Sequence, residues 1–125
     1  MTADEMDELA SRFFAAIEGG DVDGVAACYA PGAVVWHNYD QVEEPRERNL
    51  KVLAWVSSNV GGLRYEDVRR VPLDDGFVQQ HVLRGTAPDG SPLEVPAMLR
   101  VFVNGGQIER IDEYLDTAQV VALRG

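Results

Sequence analysis

Met6, Leu9, Ala10, Phe13, Phe14 and Ile17 recur at the three- and four-residue spacing of one helix face. Thr2 or Asp4 offers an N-cap oxygen and Gly19-Gly20 a stop, so the pattern predicts a first helix. Asp21 is placed to cap a short second helix over residues 22–29, which Pro31-Gly32 ends. The periodicity then changes to a β-rich run over 33–39. A charged stretch, 43–48, leads into a third helix with Leu50, Leu53, Ala54 and Val56 as its apolar stripe, ended by Gly61-Gly62. Strand-like segments follow at 63–71, 77–86, 93–103 and 108–116, with Pro72, Asp75-Gly76, Asp89-Gly90 and Asn104-Gly105-Gly106 marking the turns.

The predicted order is therefore αα-β-α-ββββ. Short turns make the last four strands antiparallel. A curved sheet with helices against one face suits this order, an α+β architecture. No internal repeat or linker interrupts the 125 residues, which suit one domain spanning 1–125.

Alternation along the last strand puts Ile111, Glu113 and Leu115 on one face and Arg110, Asp112 and Tyr114 on the other. The first set holds a carboxylate between two aliphatic side chains. A buried carboxylate must gain a partner, take up a proton or serve in chemistry.

A net charge of −10 argues against nucleic acid and anionic membranes as partners, because both demand basic patches. No apolar run nears the ~20 residues of a membrane span. The acidic N-terminus lacks a signal-peptide pattern, and Cys28 is the single cysteine, so a cytoplasmic setting is expected. With only His37 and His81, and no CxxC, HExxH or glycine-rich phosphate loop, neither a metal nor a cofactor is expected.

The element order, with CYAPGAVVWHN after the second helix and GGQIERIDEYLD closing the sheet, resembles the nuclear transport factor two-like superfamily. Within it the chain is similar to the SnoaL-like polyketide cyclase, ketosteroid isomerase and limonene epoxide hydrolase group. The resemblance implies a cone: a curved antiparallel sheet packed on three helices of the N-terminal half, enclosing a deep apolar pocket, with a homodimer through the outer sheet face. It also implies inward positions. Trp36 and Asn38 match a tyrosine–asparagine pair of the epoxide hydrolases, His81 and Leu83 replace their arginine–aspartate pair, and Glu113 matches their last-strand aspartate. Epoxide hydrolysis by that mechanism thus lacks its arginine–aspartate pair. His81 is similar in placement to the base of scytalone dehydratase-like members, and Glu113 to the base of SnoaL-like cyclases.

If the 104–107 turn closes a regular ribbon, Val103 pairs with Ile108, Met98 with Glu113 and Arg100 with Ile111. Arg100 then lies diagonal to Glu113, either as a structural ion pair or as a tuner of a catalytic acid or base. The expected catalytic set is Glu113 and His81 sharing proton roles, with Asn38 orienting an oxygen. Trp36, Met98, Leu83, Ile111, Leu115 and Arg100 line the substrate pocket, and Trp55 lies over it as a lid. His37 points outward, and Leu99, Val101 and Val103 form an apolar outer face for a homodimer. The expected function is acid–base chemistry of isomerase, dehydratase or cyclase type on a compact apolar molecule. The alternatives are a non-catalytic ligand-binding or assembly module, and an epoxide hydrolase-like enzyme.

Overall fold

The computed structural model describes residues 1–119. Helix α1 (Ala3–Glu18) begins at Thr2, whose hydroxyl accepts from the Glu5 N–H at 3.1 Å while the Glu5 carboxylate accepts from the Thr2 N–H at 2.9 Å. This reciprocal cap satisfies two otherwise orphaned donors. The six predicted apolar positions of α1 are all buried. Helix α2 (Val22–Cys28) is capped by Asp21, which accepts from the Gly24 N–H at 2.9 Å.

Strand β1 (Tyr29–His37) starts at the residue expected to end the second helix, and Pro31-Gly32 lies inside it. Its register slips between Tyr29 and Val34, an irregularity that accommodates a proline lacking a ladder donor. A three-residue strand β2 (Glu43–Pro45), hidden in the charged stretch, hairpins back onto β1. Helix α3 (Arg46–Asn59) follows; Arg46 donates to the Tyr29 carbonyl at 3.1 Å and ties the helix to β1. Strands β3 (Gly61–Leu73), β4 (Gly76–Thr86), β5 (Pro92–Asn104) and β6 (Gln107–Leu115) form an antiparallel meander.

The six strands lie in the order β2-β1-β6-β5-β4-β3, a curved, unclosed sheet. β1 runs parallel to β6, so the first long strand is stitched beside the last. Helix α1 packs over β3, and the core fills the space between the helices and the concave face.

Two one-residue irregularities decide which side chains face the core. In the β5–β6 ribbon, Val103 pairs with Ile108 as the turn dictates, but Phe102 pairs with Arg110, so Glu109 is an extra residue. A bulge reverses the face relation beyond it. Leu99 and Val101, not Met98 and Arg100, therefore stand opposite Glu113 and Ile111. Leu99, Val101 and Val103, expected on an outer dimer face, are core residues. Met98 is 43% exposed on the convex face. Arg100 leaves Glu113 altogether: it reaches Asp75 at 2.6 Å and stacks 4.0 Å from the Phe102 ring centre. On β3, one extra residue between Glu66 and Arg69 coincides with the positive φ of Asp67 (56°). It brings Tyr65 and Arg70 to one face although five positions separate them.

Candidate functional site

The concave face, α3 and the end of β1 enclose a cavity of about 590 Å³. Leu53, Val56, Leu63, Leu83, Val95 and Leu115 give it apolar walls, and the half-exposed Trp55 lies at its helix side. Ala97 pairs with His81 on one side and Leu115 on the other, so a small side chain floors the space between β4 and β6.

Polar groups stand on opposite sides of that floor. On the β1–β6 side, His37 and Glu113 are register partners of parallel strands, and their side chains meet at 2.9 Å, His37 Nε2 to Glu113 Oε1. Adjacent residues clamp this pair. The Asn38 N–H donates to the Glu113 carbonyl at 3.0 Å. The Asn38 side-chain amide donates to the Leu115 carbonyl at 3.3 Å and accepts from the Leu115 N–H at 3.0 Å. An amide side chain thus continues the ladder where the strand backbone leaves off.

Burial alone lowers the proton affinity of His37. The hydrogen bond and charge of Glu113, helped by Glu44 and Asp40, outweigh it and hold the pKa above 6.5. The ring stacks on Tyr39 with centroids 5.1 Å apart. Its other nitrogen, Nδ1, is buried without a hydrogen-bond partner among the described residues. An unpaired buried nitrogen costs about 1–3 kcal/mol, a cost most often retained at functional sites.

On the β3–β4 side, His81 is buried edge-on against Tyr65, with centroids 4.6 Å apart, and against Phe14. Its Nδ1 lies 2.9 Å from the Gln79 amide nitrogen. The Gln79 carbonyl accepts from Arg70 Nε at 2.7 Å, and Arg70 reaches Asp7 at 2.6 Å and Ser11 at 3.2 Å on α1. Burial, and to a lesser degree the Arg70 charge, pull the His81 pKa below 6.5 against the opposing pull of Glu113. Tyr65 lines the same wall; burial and then the Glu113 charge hold its pKa well above the ordinary value, so its hydroxyl stays neutral. Deeper in, the Tyr29 hydroxyl donates to the Asn49 side chain at 2.7 Å, a packing role for both.

Of the expected site residues, Glu113, His81, Leu83, Leu115 and Trp55 line this cavity. Ile111 is buried in the core two residues along from Glu113. Trp36, Met98 and Arg100 stand on the convex face, where Trp36 packs edge-on against Tyr114, 51% exposed. Asn38 ties β1 to β6 rather than projecting into the cavity. His37, expected outside, faces in, because β1 presents Ala33, Val35 and His37 to the core rather than Val34, Trp36 and Asn38. The alternation in 33–39 fits either assignment, since Val34 and Val35 are equally apolar. Tyr65, like Leu63 and Val95, is a wall residue that sequence reasoning misses, although Leu63 and Tyr65 already alternate with polar residues.

Among the described residues, no three His, Cys, Asp or Glu side chains converge as a metal-binding set, and no helix is long and apolar enough to cross a membrane.

Solved structures share this fold. A proposed polyketide cyclase from Xanthomonas campestris pv. campestris superimposes with a TM-score of 0.82 at 19% identity, covering 98% of both chains. A proposed isomerase from Bacillus subtilis gives 0.84 at 15% identity over 100% of this chain and 96% of that one. A protein with a ketosteroid isomerase-like fold from Catenulispora acidiphila, in complex with trimethylamine, gives 0.77 at 18% identity over 93% and 91%. No curated protein matches by sequence. The sequence pattern of the SnoaL-like domain matches residues 10–111, most of the chain, and this protein belongs to the SnoaL-like domain family.

Proposed function

We propose that the cavity binds a compact, largely apolar molecule carrying a carbonyl-type oxygen, and that Glu113, supported by His37, moves a proton on it. The reaction is of isomerase, dehydratase or cyclase type. The observation that carries this reading is the Glu113–His37 contact of 2.9 Å at the wall of an otherwise apolar cavity. Glu113 serves as base, and His37 orients its carboxylate and shares the proton. Strands are spaced ~4.8 Å apart and rise ~3.4 Å per residue, so His81, two strands away and level with Leu115, stands roughly 12 Å from Glu113 at the backbone, room for a small molecule between them. His81 and Tyr65 address the substrate's oxygen as it gains negative charge.

The test works before the natural substrate is identified. Removal of a proton next to a carbonyl appears as hydrogen–deuterium exchange in heavy water. A panel of small cyclic, steroid-like and terpenoid-like ketones is to be scanned by proton NMR with wild type and Glu113→Gln. Wild type should accelerate exchange of at least one ketone, and Glu113→Gln should lower that rate on the order of 10²-fold. Exchange indifferent to Glu113→Gln counts against the assignment. Ketones that raise the melting temperature without exchanging would identify a binding module instead.

The reading includes a homodimer through the convex face, where Trp36, Met98 and Tyr114 supply the apolar surface that Leu99, Val101 and Val103 do not. Sedimentation as a monomer at micromolar concentration would overturn it.

A further inference from the structure

We propose that Gln79 and Arg70 act as positioning residues that hold His81 as the neutral tautomer protonated on Nε2, so that His81 meets the cavity as a hydrogen-bond donor and not as a base. Donor directions fix the tautomer. An arginine guanidinium can only donate. Arg70 Nε lies 2.7 Å from one end of the Gln79 amide, so that end is the oxygen. The other end, 2.9 Å from His81 Nδ1, is then the NH₂ group, also only a donor. A donor facing Nδ1 requires a lone pair there. An imidazolium carries N–H on both nitrogens and would set donor against donor. His81 is therefore neutral, with its proton on Nε2.

The amide cannot easily turn over, because its oxygen is held from outside. Arg70 and Gln79 are register partners across β3 and β4, and Gln79 is fully buried. Arg70 is itself anchored on α1 by Asp7 and Ser11. The bulge after Glu66 makes this possible, since it brings Arg70 onto the face that carries Tyr65. The groups facing His81 are Gln79 on its own strand, Tyr65 and Arg70 from β3, Phe14 from α1 and the charge of Glu113 from β6. Only Glu113 favours the protonated ring, and burial together with Arg70 opposes it. Helix α1 thus sets a proton position inside the cavity without touching a ligand. The catalytic consequence rests on the function proposed above; the tautomer itself does not.

Imidazole nitrogen chemical shifts from long-range proton–nitrogen spectra of the full chain distinguish the two neutral tautomers from the cation. The chain has two histidines, so His37→Gln assigns both signals. At neutral pH, wild-type His81 should show a protonated Nε2 and a bare Nδ1. Gln79→Glu, close in shape, replaces the NH₂ by an acceptor and should move a proton onto Nδ1, while the His37 pattern stays in place. Arg70→Met, which releases the amide, should give a mixture of tautomers and serves if Gln79→Glu does not fold. A wild-type His81 protonated on Nδ1, or a pattern unmoved by both variants, would overturn the proposal. The ketone exchange assay separates the two readings. A correct tautomer without exchange defeats the proposed reaction and leaves the relay standing; exchange with the wrong tautomer does the reverse.

Discussion

The two histidines stand on the same concave face and under the same carboxylate, yet their surroundings drive them apart. His37 touches Glu113 directly, and contact with an anion outweighs the cost of its burial. His81 feels Glu113 only through space, while a wholly neutral contact, the Gln79 amide, occupies its Nδ1. Burial opposes the charged ring at both sites and so does not by itself set opposite directions. What each ring nitrogen touches explains the difference. Separation of proton affinities between two groups of one cavity is what a division into base side and donor side requires.

The largest effect expected from this contrast comes with Glu113→Gln. Turnover should fall on the order of 10²-fold, equivalent to about 2.7 kcal/mol of barrier. In the same variant burial at His37 is no longer opposed by the carboxylate, so its pKa should drop below 6.5, toward the behaviour of His81. An NMR titration in which His37 stays elevated would show that Glu44 and Asp40 suffice without Glu113.

Next in size is a pair of arginine replacements on opposite faces. Arg70→Met leaves the buried Gln79 carbonyl without its donor and should destabilise by about 1–3 kcal/mol in urea denaturation. Arg100→Met removes a partly exposed pair with Asp75 and should stay within about 1 kcal/mol. A large loss for Arg100→Met would return it to the neighbourhood of Glu113.

Asn38→Ala should cost about 1 kcal/mol, from the lost bridges to Leu115, and change turnover little. A fall in turnover as large as that of Glu113→Gln would restore Asn38 to the substrate.

The smallest effect is in the pH dependence of stability, and its sign differs between the histidines. The folded state holds the His37 proton more tightly than the unfolded chain does. That contribution is complete below about pH 6.5 and is lost as pH rises through the elevated folded value. His81 is the reverse: its contribution is complete above about pH 6.5 and is lost as pH falls toward the lowered folded value. Denaturation midpoints across this range should therefore lose the alkaline-side slope in His37→Gln and the slope just below pH 6.5 in His81→Gln. Each slope is bounded by about 1.4 kcal/mol per pH unit for one proton.

Much of this arrangement was legible in the chain. The apolar period of Met6 to Ile17 was enough to place α1, and the Asn104-Gly105-Gly106 turn to pair Val103 with Ile108. The alternation around Glu113 put Ile111, Glu113 and Leu115 on the concave face, where the structure has them, and His81 and Leu83 likewise face it. Parity failed wherever a strand was not regular. Glu109 is one more polar residue in a polar stretch, and nothing in composition marks it as the residue that turns Arg100 away from Glu113. Trp36 and His37 compete for the same face, and a tryptophan has the larger apolar surface to bury; the pairing of β1 with β6 decided for His37.

The amino-acid order by itself determined the three helices, the five long strands, their sequence and the acidic, apolar character of the site, though not the short β2, because helix and strand periods and turn chemistry are local properties that a few neighbouring residues specify. Only the tertiary structure decided that His37 rather than Asn38 meets Glu113, that Arg70 reaches Gln79, and that Met98 and Arg100 look outward. Those outcomes depend on register between strands from opposite ends of the chain and on one-residue bulges, where a shift of one position exchanges the two faces of a strand.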